Sequence, residues 1–144
     1  VIAISLSGCA VLKDMKTGWD AREHLANART LFDHGDFEGS LKENQKVILL
    51  CDNSPPEDEA LFYAGLIYAH YGYPKRDYQK SLDLFKRLVR NFPHSPFAGK
   101  AKILIGILQE NERSKRDIEA LNKTIKKSKQ VDIEIEEKKK GLSK

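Results

Sequence analysis

No run of 18 or more apolar residues occurs in this chain, so it encodes no conventional membrane-spanning helix. Cysteine is scarce. Cys9 and Cys51 have unrelated surroundings and no metal-type spacing, and no pattern supports a disulfide between them. Charge of one sign is also missing. The 25 Lys and Arg residues stand against 21 Asp and Glu. The net +4 is interspersed, which argues against nucleic acid as a partner. There is no Gly-rich phosphate loop, no nucleophile elbow and no Cys–His arrangement. His24, His34, His70 and His94 share no ligand spacing and read as structural or exposed side chains. The chain is therefore expected to have no catalytic residues, no metal and no cofactor.

What is present is a helix-friendly composition, 40% apolar and 32% charged, in a length that suits one modest domain with an extension. The strongest signal is internal repetition. Asp36-Phe37-x-x-Ser40-Leu41 returns as Asp77-Tyr78-x-x-Ser81-Leu82. Ser54-Pro55 returns as Ser95-Pro96, Ala60 as Ala101 and Gly65 as Gly106, each 41 positions later. A constant step across turn, polar and apolar positions marks an array of one supersecondary unit. Stacked units of this kind present extended surfaces, which points to binding.

Apolar periodicity places helices on both sides of each breaker. Trp19, Leu25, Ala28, Leu31 and Phe32 share a face between residues 17 and 34, and Gly35 suits the left-handed position that ends this helix. A second helix runs from Phe37 to Cys51. Asp52-Asn53-Ser54-Pro55-Pro56 breaks it and starts a third, with Glu57, Asp58 and Glu59 favourable in the first turn. Gly72-Tyr73-Pro74 ends the third helix. A fourth begins near Asp77 and a fifth near Phe97. Small residues are needed where two helices of a hairpin cross closely. Gly65 and Ser81 supply them in the second unit, and Ala28 takes the place of Gly65 in the first. Asn44 stands where the second unit has Phe85. Cys51 aligns with Phe92 and reads as a small core residue.

The second unit, with Gly65, Tyr68, Asp77-Tyr78, Ser81, Phe85, Leu88 and Pro93, resembles a tetratricopeptide repeat. The expected fold is all-α: a tetratricopeptide-like array of about two and a half helical hairpins over residues 19–110. The step of 41 exceeds the usual 34 of that family, and extra residues fall at Tyr73-Pro74-Lys75-Arg76 and around His94-Ser95-Pro96. Long units ending in Phe-Pro-x-Ser-Pro resemble those of periplasmic repeat lipoproteins, such as the outer-membrane-protein assembly lipoproteins and the Tol-associated division coordinators. The resemblance implies a groove lined by the first helix of each unit. Its expected lining is Arg22, Leu25, Arg29 and Phe32 from unit one, Glu59, Phe62, Leu66 and His70 from unit two, and Lys100, Ile103, Ile107 and Glu110 from unit three. An apolar centre with a charged rim suits a peptide or helix of another protein. The competing expectation is that the carboxy-terminal helix folds back and fills this stripe.

The two ends carry further signals. Residues 1–8 resemble the end of a secretory signal segment, and Leu6-Ser7-Gly8-Cys9 resembles the bacterial lipobox. That likeness implies lipidation at Cys9, a tether over residues 9–18 and, with Ala10 after the cysteine, an outer-membrane destination facing the periplasm. The alternative is an inert thiol in a buried first element. Residues 111–144 form a charged arm in which Ile118, Leu121, Ile125, Ser128, Asp132 and Ile135 follow heptad spacing. The arm reads either as a solvated helix or as a coiled-coil segment for a partner or for its own copy. Together these features describe a lipid-anchored periplasmic adaptor that binds proteins in envelope assembly, division or signalling. The alternative is a soluble cytosolic adaptor or co-chaperone with no lipid.

Overall fold

The computed structural model describes the backbone of residues 8–142 and side chains from Gly18 onward, Gly141 excepted. The expected signal residues 1–7 and the Cys9 side chain lie outside the described residues. Five helices follow one another: α1 (Gly8–Asp33), α2 (Phe37–Cys51), α3 (Glu57–Ala69), α4 (Tyr78–Asn91) and α5 (Ala98–Leu142). Among the described residues there is no strand. α1 packs on α2, α2 on α3, and α3 on α4, an array of helical hairpins. The chain divides into two compact units, Val1–Ile105 and Gly106–Lys144, five residues earlier than the boundary expected after residue 110.

Turn chemistry sets the hairpins. Gly35 has φ +77°, the left-handed conformation expected of it. Asp36 and Asp77 then cap α2 and α4. Each carboxylate accepts a bond from a backbone N–H three residues on, Gly39 at 2.9 Å and Lys80 at 3.1 Å. Between α2 and α3 the turn uses left-handed Asp52 and Asn53. Glu57 in the first turn of α3 is fully buried. Its carboxylate accepts the Asn53 N–H at 2.6 Å and pairs with the Arg87 guanidinium of α4. A buried charge is costly without partners, and these supply them.

The repeat returns as a repeated contact. The Ser40 hydroxyl donates to the Ala28 carbonyl at 2.8 Å, and the Ser81 hydroxyl donates to the Gly65 carbonyl at 2.8 Å. All four residues are buried. Around these crossings lie Val47, Leu61, Ile67, Leu82, Phe85 and Leu88, essentially inaccessible to solvent. Each such side chain contributes roughly 1.5–3 kcal/mol by leaving water.

The segment expected as a tether, residues 9–18, is helical, because α1 begins at Gly8. Ala10, Val11, Leu12, Lys13, Met15 and Lys16 contain no breaker and several strong helix formers. Gly65 and Gly106 also sit in unlike surroundings. A Cβ on Gly65 would lie 2.6 Å from the Phe85 ring, whereas one on Gly106 would meet nothing within 4 Å. α5 runs on to Leu142 without a turn, so no later described helix supplies a counterpart of Phe85.

Candidate functional site

The first helices of the two complete hairpins share a face. The Arg29 Nε of α1 donates to the Glu59 carboxylate of α3 at 2.5 Å, joining two residues expected in the groove. One turn along, the Phe32 ring meets Tyr63 edge-on at 5.5 Å and His70 at 6.4 Å. Arg29, Phe32, Glu59 and His70 are thus brought together on α1, α3 and the residue after α3. Arg22 is exposed on α1 and Leu66 half-exposed on α3.

Leu25 and Phe62 do not belong to that surface. Leu25 is 4% and Phe62 8% exposed. Phe62 packs against Phe85 and Phe97, with ring centroids at 5.9 and 5.0 Å. Periodicity put both on the correct helices but on the wrong side of the line between core and solvent. In the third repeat Lys100 and Ile103 are exposed, and the Lys100 ammonium lies 5.8 Å from the Phe97 ring centre. Ile107 and Glu110 are also exposed and belong to the second unit. Residues 113–140 are exposed throughout.

Several features had weaker sequence signals. Tyr63 joins Phe32 to Phe62, with centroids at 5.5 and 6.1 Å. Its place four residues after Glu59 on the same face was the available clue. A cleft of about 270 Å³ opens on the other helices, lined by Leu41, Gln45 and Ile48 of α2, Tyr68 of α3, and Lys80 and Leu84 of α4. The Lys80 ammonium stands 5.4 Å from the Tyr68 ring centre there. Leu41 is the lining residue that recurs with the 41-residue step. The cleft arises where α2 and α4 both rest on α3.

Electrostatics across the hairpins are local. A hydrogen bond from Lys75 holds the Glu38 carboxyl below its ordinary range, and the same contact raises Lys75. The Tyr73 hydroxyl also reaches Glu38, at 3.3 Å, so the turn before α4 is tied back to α2. The Lys46 ammonium, and after it His24 at 2.6 Å, lower Glu43 against the opposing effect of burial. Burial raises the Cys51 thiol, reinforced by the carboxylates of Glu57 and Asp58. These contacts orient helices, and none assembles a nucleophile, a base and an anion-stabilising group. Among the described residues no cluster of His, Cys, Asp and Glu has the geometry to hold a metal. No described helix is long and apolar enough to cross a membrane.

Comparison with known proteins adds one relative. An uncharacterized protein of Treponema pallidum (strain Nichols) is 31% identical over 86 residues, which is 60% of this chain. The chain spans about a sixth of that relative, 16% of its length. No family model matches the chain, and no solved structure matches it.

Proposed function

We propose that the chain is a lipid-anchored adaptor of the tetratricopeptide-repeat kind, held at the periplasmic face of an outer membrane and binding a peptide or helix of another protein. The observation that carries the binding reading is the face shared by α1 and α3. There the Arg29–Glu59 pair, Phe32, His70 and the exposed Arg22 offer charge beside apolar surface without a catalytic set. The anchor reading rests on the sequence Leu6-Ser7-Gly8-Cys9. Lipid on Cys9 would sit in the first turn of α1, about 18 Å of helix before Ala21, the first buried residue among those described. Tethering raises the effective concentration of the adaptor for membrane-associated partners, and that is the whole of the mechanism.

Two measurements test this. Mass spectrometry of the native protein is expected to find a diacyl or triacyl adduct on Cys9. An unmodified Cys9 would replace the anchored reading with a soluble adaptor. Substituting Arg22→Glu together with Leu66→Glu, both away from the core, is expected to abolish co-purification of the partner while leaving helix content intact. An unchanged partner set would move recognition off this face.

A further inference from the structure

The distal part of α5 presents its side chains to solvent. Every residue from 113 to 140 is exposed, including Ile118 at 57%, Leu121 at 63%, Ile125 at 51% and Ile135 at 45%. Those four side chains, with Ser128, Asp132, Lys139 and Leu142, occupy alternating three- and four-residue steps along one edge of the helix. Upstream the same edge carries the polar residues Asn111 and Ser114, so the apolar seam starts at Ile118.

We propose that this seam pairs with the same seam of a second copy, antiparallel, about a two-fold axis passing beside Gln130. In that register Ile118 lies opposite Leu142 of the second copy and Ile125 opposite Ile135. Leu121 lies opposite Lys139, whose methylene stem covers it while the ammonium reaches water. The two polar seam positions meet each other: the Ser128 hydroxyl faces the Asp132 carboxylate, a donor against an acceptor. Val131, 52% exposed beside the seam, meets its own copy across the axis.

A second feature, independent of the seam, selects the same register. Lys123, Lys126, Lys127 and Lys129 form a block with no acid among them, and Asp132, Glu134, Glu136 and Glu137 form a block with no base among them. The axis beside Gln130 lays the basic block of each copy along the acidic block of the other. Lys129 and Glu136 flank the seam and Asp132 lies in it, while the other five charges face away from it, so the blocks act through the longer-range field between the helices and weaken with salt. A parallel pair lays basic block on basic block and acidic block on acidic block, and it sets Asp132 against Asp132 inside the seam. Like charges at an interface are costly, which is how a sequence rejects the wrong orientation. A self-paired arm makes the adaptor bivalent, with two α1/α3 faces per assembly.

The test uses the 144-residue chain. Sedimentation equilibrium is expected to show a monomer–dimer equilibrium that weakens at least tenfold between 0.05 and 0.5 M salt, about the range over which the Debye length falls severalfold. Ile125→Asp with Ile135→Asp is expected to leave a monomer with unchanged far-ultraviolet helix signal. A variant with Lys123→Glu and Lys126→Glu, and another with Glu134→Lys and Glu137→Lys, should each dimerise poorly alone and recover when mixed. Orientation is read by spin labels on Glu119→Cys in a chain lacking Cys9 and Cys51. The antiparallel register separates the two labels by about 33 Å along the helices, the parallel one by about 10 Å. A monomer at all concentrations, an unaffected Ile125/Ile135 variant, or the short distance would overturn the proposal.

Discussion

Gly65 and Phe85 form one fitted pair, and Ala28 and Asn44 form the other. Phe85 is completely buried, and its ring comes so close to Gly65 that a methyl group would lie 2.6 Å away. The first hairpin has Ala28 at that crossing, and opposite it the smaller Asn44. The exchange fills less volume and leaves a polar group inside. Asn44 donates to the Ser40 carbonyl at 3.0 Å, and its Oδ1 is buried with no partner. Two opposite outcomes follow. Gly65→Ala is expected to cost about 1–3 kcal/mol in urea unfolding through overpacking. Asn44→Leu is expected to add about 1 kcal/mol, since it removes an unsatisfied acceptor with a side chain of the same branching. Cys51 obeys the same logic of enclosure. Burial first, then nearby carboxylates, raises its thiol and disfavours the reactive thiolate. In a chain lacking Cys9, a chromogenic disulfide reagent should label Cys51 at the rate of unfolding, and fast labelling of the native protein would contradict its placement.

At the scale of helices, the paired aspartates before α2 and α4 mark the legible part of the fold. Asp36 and Asp77 recur with the repeat, and each caps its helix through its carboxylate. Asp36→Ala and Asp77→Ala should each lower stability by about 1 kcal/mol. Glu43 links α2 to α1 through His24 and carries a lowered pKa, chiefly from Lys46. A carboxylate lowered on folding stabilises above its ordinary value of 4.5 and loses that contribution as pH falls through its folded value. The urea midpoint should therefore drop below pH 4.5, and Glu43→Gln should flatten that drop. Glycine, proline and capping residues announce where a helix ends, because they act on their own backbone. The early start of α1 was hidden, because Ser7 and Gly8, a capping type and a breaker, also belong to the lipobox-like run Leu6-Ser7-Gly8-Cys9. Leu25 and Phe62 were misplaced for a different reason. An apolar stripe fixes the direction of a helix face, but only the neighbours decide how far around the helix burial extends. Phe97 reaches Phe62 from beyond α4, a contact no local pattern encodes.

For the whole molecule, the division at Ile105–Gly106 separates two kinds of helix. Residues before it bury apolar side chains against their neighbours, while residues 113–140 bury none. A constant 41-residue step made the first kind readable, since a repeat reports partners as well as positions. It also invited the equation of Gly65 with Gly106, which fails because a crossing glycine acquires its role only from the helix that crosses it. Stability should divide along the same line. The described side chains of residues 115–144 are exposed, so removing the segment should leave the hairpins with their urea midpoint to within about 0.5 kcal/mol, as surface changes do. Far-ultraviolet helix signal should fall by the share of the lost residues, and the slope of the hairpin transition should hold, because it follows the surface that unfolding exposes. A large loss of hairpin stability at low protein concentration would mean that the arm braces the repeats in its own chain. A loss seen only at high concentration would instead reflect the linkage between folding and dimerisation. Dilution therefore separates a brace from a self-pairing arm without any substitution in the hairpins.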